Sequence, residues 1–161
     1  MSSELLEAFR HSAWANRQLL SCCAGLVPEH TNSSLPGGYG SVLSTLKHIA
    51  GAENYYRSLF TGVLTEWDWR DGEDQPVEEI SPWFDDLAAF WEDLLAGAFD
   101  PERLLETRSS QLKAGVLIAQ ALHHANVHRE QVSAVLTSLG LEAPDVSGWA
   151  YGRASGGIVP R

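Results

Sequence analysis

Two histidines, His124 and His128, lie four residues apart in a segment with the periodicity of a helix. On an α-helix this spacing places both side chains on one face, one turn apart, so their ring nitrogens can converge on one metal ion. His123 is rotated by about 100° from His124 and is not expected to share that site. The spacing therefore predicts a metal site that includes His124 and His128. Ordinary hydrogen-bonded histidines are the alternative.

A third metal ligand has to come from another part of the chain, and the candidates are His11, His30 and His48. His48 is favoured because it lies in the middle of a second predicted helix, at the level in a bundle where His124 and His128 also lie. His30 falls in a predicted loop, and His11 lies just beside the apolar stripe of its own helix. Three histidines with an open fourth position are typical of catalytic zinc, and nickel, iron or cobalt would also accept them.

The helix that carries the histidine pair is predicted over residues 114–139, with Gly140 at its C′ position. Its apolar stripe recurs at steps of three and four and consists of Leu117, Ala121, His124, His128, Val132, Val135 and Leu139. This pattern places His124 and His128 in the middle of the buried face. An unsatisfied polar group there costs roughly 1–3 kcal/mol, and a metal ion would satisfy both rings.

Two further helices are predicted from apolar spacing and from their capping residues. The first covers residues 3–26 and is ended by Pro28. The second covers residues 41–60, is capped by Ser41 and is ended by Gly62, so it contains His48 near its middle.

A fourth helix is expected to begin near Ser81, with Pro82 at its first helical position, and to be closed by Asp100 and Pro101. The alternating residues 105–113 that follow it could form a short strand or a hairpin.

The connectors over residues 31–40 and 61–80 are irregular and longer than a minimal bundle needs. Four amphipathic helices with such connections predict an all-α four-helix bundle. We expect one domain over residues 1–154 and a flexible tail over residues 155–161.

The composition excludes several classes of function. The chain has 161 residues, a formal net charge of −10 and no cluster of lysine and arginine. Proteins that bind nucleic acids or anionic membranes carry basic patches, so neither partner is expected. No signal-peptide pattern and no apolar run long enough to span a bilayer are evident. The adjacent Cys22 and Cys23 are expected to be small core residues, and the expected location is the cytoplasm.

The sequence resembles the DinB-like, or YfiT-like, family of four-helix-bundle metalloproteins, which includes bacillithiol transferases and mycothiol-dependent isomerases. The resemblance rests on four segments: WANRQLL over residues 14–20, LKHIAGAENYYRSLF over 46–60, HHANVHREQV over 123–132 and DVSGWAYG over 145–152. The third segment is close to the family pattern His-x-x-x-His-Arg-Gly-Gln, with Glu130 in place of the glycine. The resemblance implies that His48, His124 and His128 form the metal triad.

Other polar residues could orient these ligands by accepting a hydrogen bond from the ring N–H that does not bind the metal. The candidates are Glu53, Asn16 and Gln131. A solvated or interhelical contact is the alternative for Glu53 and for Asn16. Arg129 is expected to serve in a salt bridge or an interface rather than as a substrate clamp.

The resemblance implies a divalent metal ion, zinc or nickel first and iron, cobalt or manganese next. The activity it implies is that of a thiol S-transferase, in which a low-molecular-weight thiol bound to the metal as a thiolate attacks a small electrophilic substrate. The alternatives are a hydrolase that uses metal-bound hydroxide and a non-catalytic metal-binding bundle of stress response. A homodimer is expected, because related bundles often pair through their helices.

Overall fold

Four long helices form the body of the protein in the computed structural model, which describes residues 3–67 and 75–159. The elements in chain order are α1 (Ser3–Cys23), α2 (Pro28–Thr31), α3 (Val42–Thr61), α4 (Val77–Ala96), β1 (Leu104–Glu106), β2 (Gln111–Lys113), α5 (Ala114–Ser138) and α6 (Gly148–Ala154). Helix α1 packs against α4 and α5, and α3 packs against the same two helices, so the four close into a ring. The prediction of an all-α four-helix bundle is confirmed.

The core lies between these four helices, because each presents a stripe of apolar side chains to its neighbours. The largest fully buried side chains are Leu19, Leu43, Leu46, Ile49, Ile80, Leu87, Leu95, Leu105, Leu136, Val42, Val132 and Cys23. Within the described part of the chain, no helix is long and apolar enough to cross a membrane.

The ends of α3 and α5 follow the predicted signals. The Ser41 side chain accepts a hydrogen bond from the Ser44 backbone N–H, and Gly62 ends α3 with a φ of 76°. Gly140 has a φ of 75° after α5. The Gly140 N–H donates to Thr137 O and the Leu141 N–H to Leu136 O, which is the pair of bonds of a Schellman motif.

The predicted end of α1 and the predicted role of Pro28 are wrong. Helix α1 ends at Cys23 rather than at residue 26, because Gly25 adopts a φ of 76°. Pro28 opens the short helix α2, where its missing N–H needs no helical partner. His30 therefore lies in a helical turn and not in a loop.

The predicted bounds of α4 are also wrong. The helix begins at Val77, so that Pro82 is its sixth residue, and it ends at Ala96 before Gly97 rather than at Asp100. Pro82 removes one backbone hydrogen bond, while the earlier start buries Val77 and Ile80 in the core.

The part of the predicted irregular connector at 68–74 lies outside the described residues, as do residues 160–161 of the predicted tail. Between α4 and α5 the hairpin alternative is confirmed. Strands β1 and β2 pair antiparallel, with Leu105 opposite Leu112.

Candidate metal centre

Three imidazole rings meet between α3 and α5. His48 lies seven residues into α3, and His124 and His128 lie one turn apart near the middle of α5, the helix that packs against α3. One ligand atom from each ring lies within 4.8 Å of the others. The shortest separation, 3.0 Å, joins His48 Nε2 and His124 Nε2. Among the described residues this is the one group of three or more His, Cys, Asp or Glu side chains with such spacing.

The spacing of the three rings fits a single metal ion. Imidazole nitrogens bound to zinc at about 2.0–2.1 Å in a tetrahedron lie about 3.3 Å from one another. One observed separation, 3.0 Å between His48 Nε2 and His124 Nε2, is close to that value, and the three rings lie within 4.8 Å of one another by one ligand atom each. The second ring nitrogen of His124, Nδ1, is buried, and it has no hydrogen-bond partner among the described residues. The donor set is one that zinc, nickel, iron and cobalt accept.

Two of the three rings, His48 and His124, are favoured in their neutral form by their surroundings. Burial and the neighbouring histidines, His128 first, lower the pKa of His124 to about 4. Burial, followed by His128, also lowers the pKa of His48 from its ordinary value. A metal ion has to compete with protons for its ligands, so lowered histidine pKa values make that competition weak near pH 7.

Gln131 fixes the orientation of His128. Its Oε1 lies 2.8 Å from His128 Nδ1, and the same oxygen accepts from the Tyr39 backbone N–H at 3.3 Å. A backbone N–H can only donate, so the atom that Tyr39 binds is the amide oxygen, which can only accept from His128. His128 Nδ1 therefore carries the proton, and the Nε2 lone pair is available for a metal ion.

The predicted position of the histidines on α5 needs correction. The centre of the buried face is occupied by Ala125 and Arg129, while His124 and His128 are half-buried at its edge. Helix α5 packs between α1 and α3, and Arg129 is directed towards α1. The observed buried face of α5 is therefore turned by about one residue from the predicted one. As a result, His124 and His128 lie on the side of α5 that faces α3 and His48.

Glu53 and Asn16 lie in a buried polar network rather than against the three histidines. The Trp91 indole N–H donates to Glu53 Oε2 at 2.8 Å. Arg129 Nη1 donates to Ser12 Oγ at 2.9 Å and to Asn16 Oδ1 at 3.0 Å. Glu53 also interacts with Asn16 and with the charge of Arg129. Glu53, Asn16 and Gln131 were the three candidates for orienting a ligand, and of these Gln131 contacts one of the three histidines, His128.

The other three histidines do not belong to the three-histidine group of the described residues. His11 Nε2 contacts Val146 O at 2.8 Å and packs beside Trp14 and Tyr151. His123 is exposed on α5, and His30 is half-buried in α2. That His123 takes no part in metal binding stays a prediction.

Two tyrosines that the sequence analysis did not single out border the cluster. The Tyr39 ring stacks on His48, with ring centroids 3.8 Å apart and an interplanar angle of 16°. The Tyr56 ring lies perpendicular to His124, with centroids 6.0 Å apart. Nothing in the spacing of the glycine-rich connector marks Tyr39. Tyr56 lies on α3, and its contact with His124 depends on the packing of α3 against α5, which the spacing along α3 does not show.

Comparisons with known proteins agree with this architecture. The sequence matches the family model described as the DinB family over residues 1–156. The structure is similar to the crystal structure of a DinB-like protein from Bacillus cereus ATCC 10987, with a TM-score of 0.63 and 12% sequence identity. That similarity covers 89% of this chain and 95% of the other, and at this identity it concerns the fold. No curated protein matches the sequence.

Proposed function

This chain belongs to the DinB family, and from that premise we propose that it is a metal-dependent enzyme whose ion is held by His48, His124 and His128. Zinc and nickel are the ions we expect first, and iron, cobalt and manganese are the others. The reaction we propose is transfer of a low-molecular-weight thiol to a small electrophile. The observation that carries the proposal is the convergence of three imidazole nitrogens within 4.8 Å.

The donor set supports chemistry rather than simple storage of an ion. No carboxylate belongs to the three-histidine group among the described residues, so the ligands do not neutralise the charge of the ion. When bound there, a divalent ion supplies a Lewis acid that lowers the pKa of a thiol or of water.

The side chains around the cluster support an open coordination position. Glu53, the carboxylate of α3 considered as a fourth ligand, accepts a hydrogen bond from the Trp91 indole N–H in the core. Gln131 uses its amide oxygen to hold His128, and so does not offer that atom to an ion. A substrate could therefore occupy the remaining position without displacing a side chain of this network.

The proposal can be tested with tag-free protein loaded with zinc or nickel. Thermal shifts are measured with bacillithiol, mycothiol and glutathione, with metal-free protein and His48→Ala as matched controls. A thiol that binds at 100 times its Kd stabilises the native state by about 2.7 kcal/mol. We expect such stabilisation with at least one thiol, in the metal-loaded wild type alone, followed by consumption of that thiol in the presence of a fluorogenic electrophile.

Other outcomes would assign a different function. Metal-dependent cleavage of model esters or amides without thiol consumption would identify a hydrolase. Tight metal binding without a thiol effect and without turnover would identify a non-catalytic metal-binding bundle. Either result would overturn the thiol-transfer proposal.

A further inference from the structure

We infer that Tyr39 is a positioning residue for the histidine cluster, acting on His48 through its ring and on His128 through a backbone hydrogen bond to Gln131. The inference deepens the proposed function, since it concerns the same site, and rests on it for its consequence in metal binding. Its evidence is the contact of one loop residue with two of the three candidate ligands, which lie on different helices.

The first contact is the stack of Tyr39 on His48. The two rings are nearly parallel, and their centroids are 3.8 Å apart. Tyr39 is 52% exposed, and this stack covers one face of the imidazole. An imidazole held on one face has fewer rotamers available, so its nitrogen stays directed towards His124 at a smaller entropic cost.

The second contact connects Tyr39 with His128. The Tyr39 backbone N–H and His128 Nδ1 both bind Gln131 Oε1. The Tyr39 and His128 rings are also nearly perpendicular to each other, with their centroids 5.4 Å apart. A displacement of the loop would therefore disturb His48 and Gln131 together.

The backbone around Tyr39 is built to hold this position. The Gly38 N–H donates to Leu35 O at 3.1 Å across a turn that contains Pro36 and Gly37, and Gly37 has a φ of 84°. A Cβ on Gly40 would lie 2.5 Å from Ser44 Oγ, so the loop approaches the start of α3 closely. These constraints fix a loop that would otherwise be free to leave the cluster.

The ring, and not the hydroxyl, is the part of the Tyr39 side chain that makes these contacts. We therefore expect Tyr39→Leu to disturb the cluster and Tyr39→Phe to retain it. Tyr55→Leu is the matched control, because Tyr55 is a similarly exposed tyrosine on α3 whose ring, in the described part of the chain, does not stack on any of the three histidines.

The contact can be measured directly by NMR on metal-free protein with labelled histidines, with His48 assigned through His48→Gln. A proton above an aromatic ring is shifted upfield. The His48 ring resonances should therefore be displaced upfield in wild type, Tyr39→Phe and Tyr55→Leu. In Tyr39→Leu they should return towards ordinary values, and unchanged resonances in that variant would overturn the inference.

Metal affinity is the second readout, measured by competition for zinc with a chromophoric chelator. Loss of a side chain that orients a ligand costs about 10–100-fold in metal affinity. We expect a loss of this size for Tyr39→Leu and wild-type affinity for Tyr39→Phe and Tyr55→Leu. Wild-type affinity in Tyr39→Leu would overturn the positioning role. A wild-type protein that binds no divalent ion would refute the proposed function instead, and the NMR result would then decide the inference about Tyr39.

Discussion

His48 Nε2 and His124 Nε2 lie 3.0 Å apart, although 76 positions separate the two residues in the sequence. The contact exists because α3 and α5 are packed neighbours and because the two histidines lie at the same level of the bundle. The third ring, His128, lies one helical turn from His124 and faces the same gap. The geometry of the candidate metal centre is therefore set by helix packing, with Gln131 and Tyr39 adjusting the individual rings.

Replacing Gln131 should weaken metal binding without unfolding the protein. In Gln131→Ala, His128 Nδ1 loses its acceptor at 2.8 Å, and its ring is no longer held with Nε2 towards the other histidines. We expect zinc affinity to fall about 10–100-fold in chelator competition.

Two matched variants define the origin of this effect. Gln131→Glu keeps an acceptor for His128 and should bind zinc more tightly than Gln131→Ala. Glu130→Ala changes an exposed neighbour and should retain wild-type affinity. Equal affinity in Gln131→Ala and wild type would show that His128 needs no such partner.

Glu53 should make the stability of the protein depend on pH. Its pKa is raised above the ordinary value of 4.5, because burial opposes ionisation more strongly than the bond from Trp91 and the charge of Arg129 favour it. The native state then binds a proton more tightly than the unfolded chain. The contribution of Glu53 to the free energy of unfolding therefore falls as the pH rises from 4.5 towards its native pKa.

The variant Glu53→Gln isolates this contribution, since its amide oxygen can still accept from Trp91. Urea unfolding of both proteins across this pH range should show the variant gaining stability relative to wild type as the pH rises. A difference that is constant with pH, or that changes in the opposite direction, would mean that burial does not raise the pKa of this carboxyl.

Arg129 should be a major determinant of stability. It is only 3% exposed, and it binds Ser12 and Asn16 of α1 while its charge offsets that of Glu53. Arg129→Met leaves these groups without their partner, and removing one member of a buried charged network costs about 3–5 kcal/mol. Urea unfolding near pH 7 measures the loss.

Arg17→Met is the matched control for Arg129→Met. Arg17 is exposed and pairs with Asp85 at 3.4 Å, so its replacement should change the free energy of unfolding by only about 0.5 kcal/mol. Similar small losses in both variants would refute the structural role of the buried network.

Local signals were sufficient for much of the fold. Helix α3 begins after Ser41 and ends before Gly62, and α5 ends before Gly140, as predicted. These signals could be found in the sequence because caps and left-handed glycines act within one helical turn. The start of α4 was predicted wrongly because Pro82 was placed at the first helical position. The missing hydrogen bond of Pro82 is a local cost, whereas the burial of Val77, which favours the earlier start, depends on packing with other helices.

The three-histidine group was predictable from the spacing on one helix and from the mid-helix level of His48 on another, whereas the contacts of Arg129 with α1 and of His48 with the loop before α3 were not. The four-residue spacing of His124 and His128 identified two rings of the cluster. The central burial of Arg129 was missed because its partners, Ser12 and Asn16, lie on α1. Tyr39 was missed because its contact with His48 depends on the path of a loop.

Which histidines bind the ion is the most direct test of the three-histidine centre. The decisive measurement is the zinc content, by mass spectrometry, of tag-free protein and single alanine variants after saturation and removal of unbound ion. Circular dichroism confirms that each variant is folded. We predict about one ion per chain in wild type and in His123→Ala, and loss of the bound ion in His48→Ala, His124→Ala and His128→Ala. A wild-type protein without bound ion, or a loss in His123→Ala equal to that in His124→Ala, would contradict the three-histidine centre.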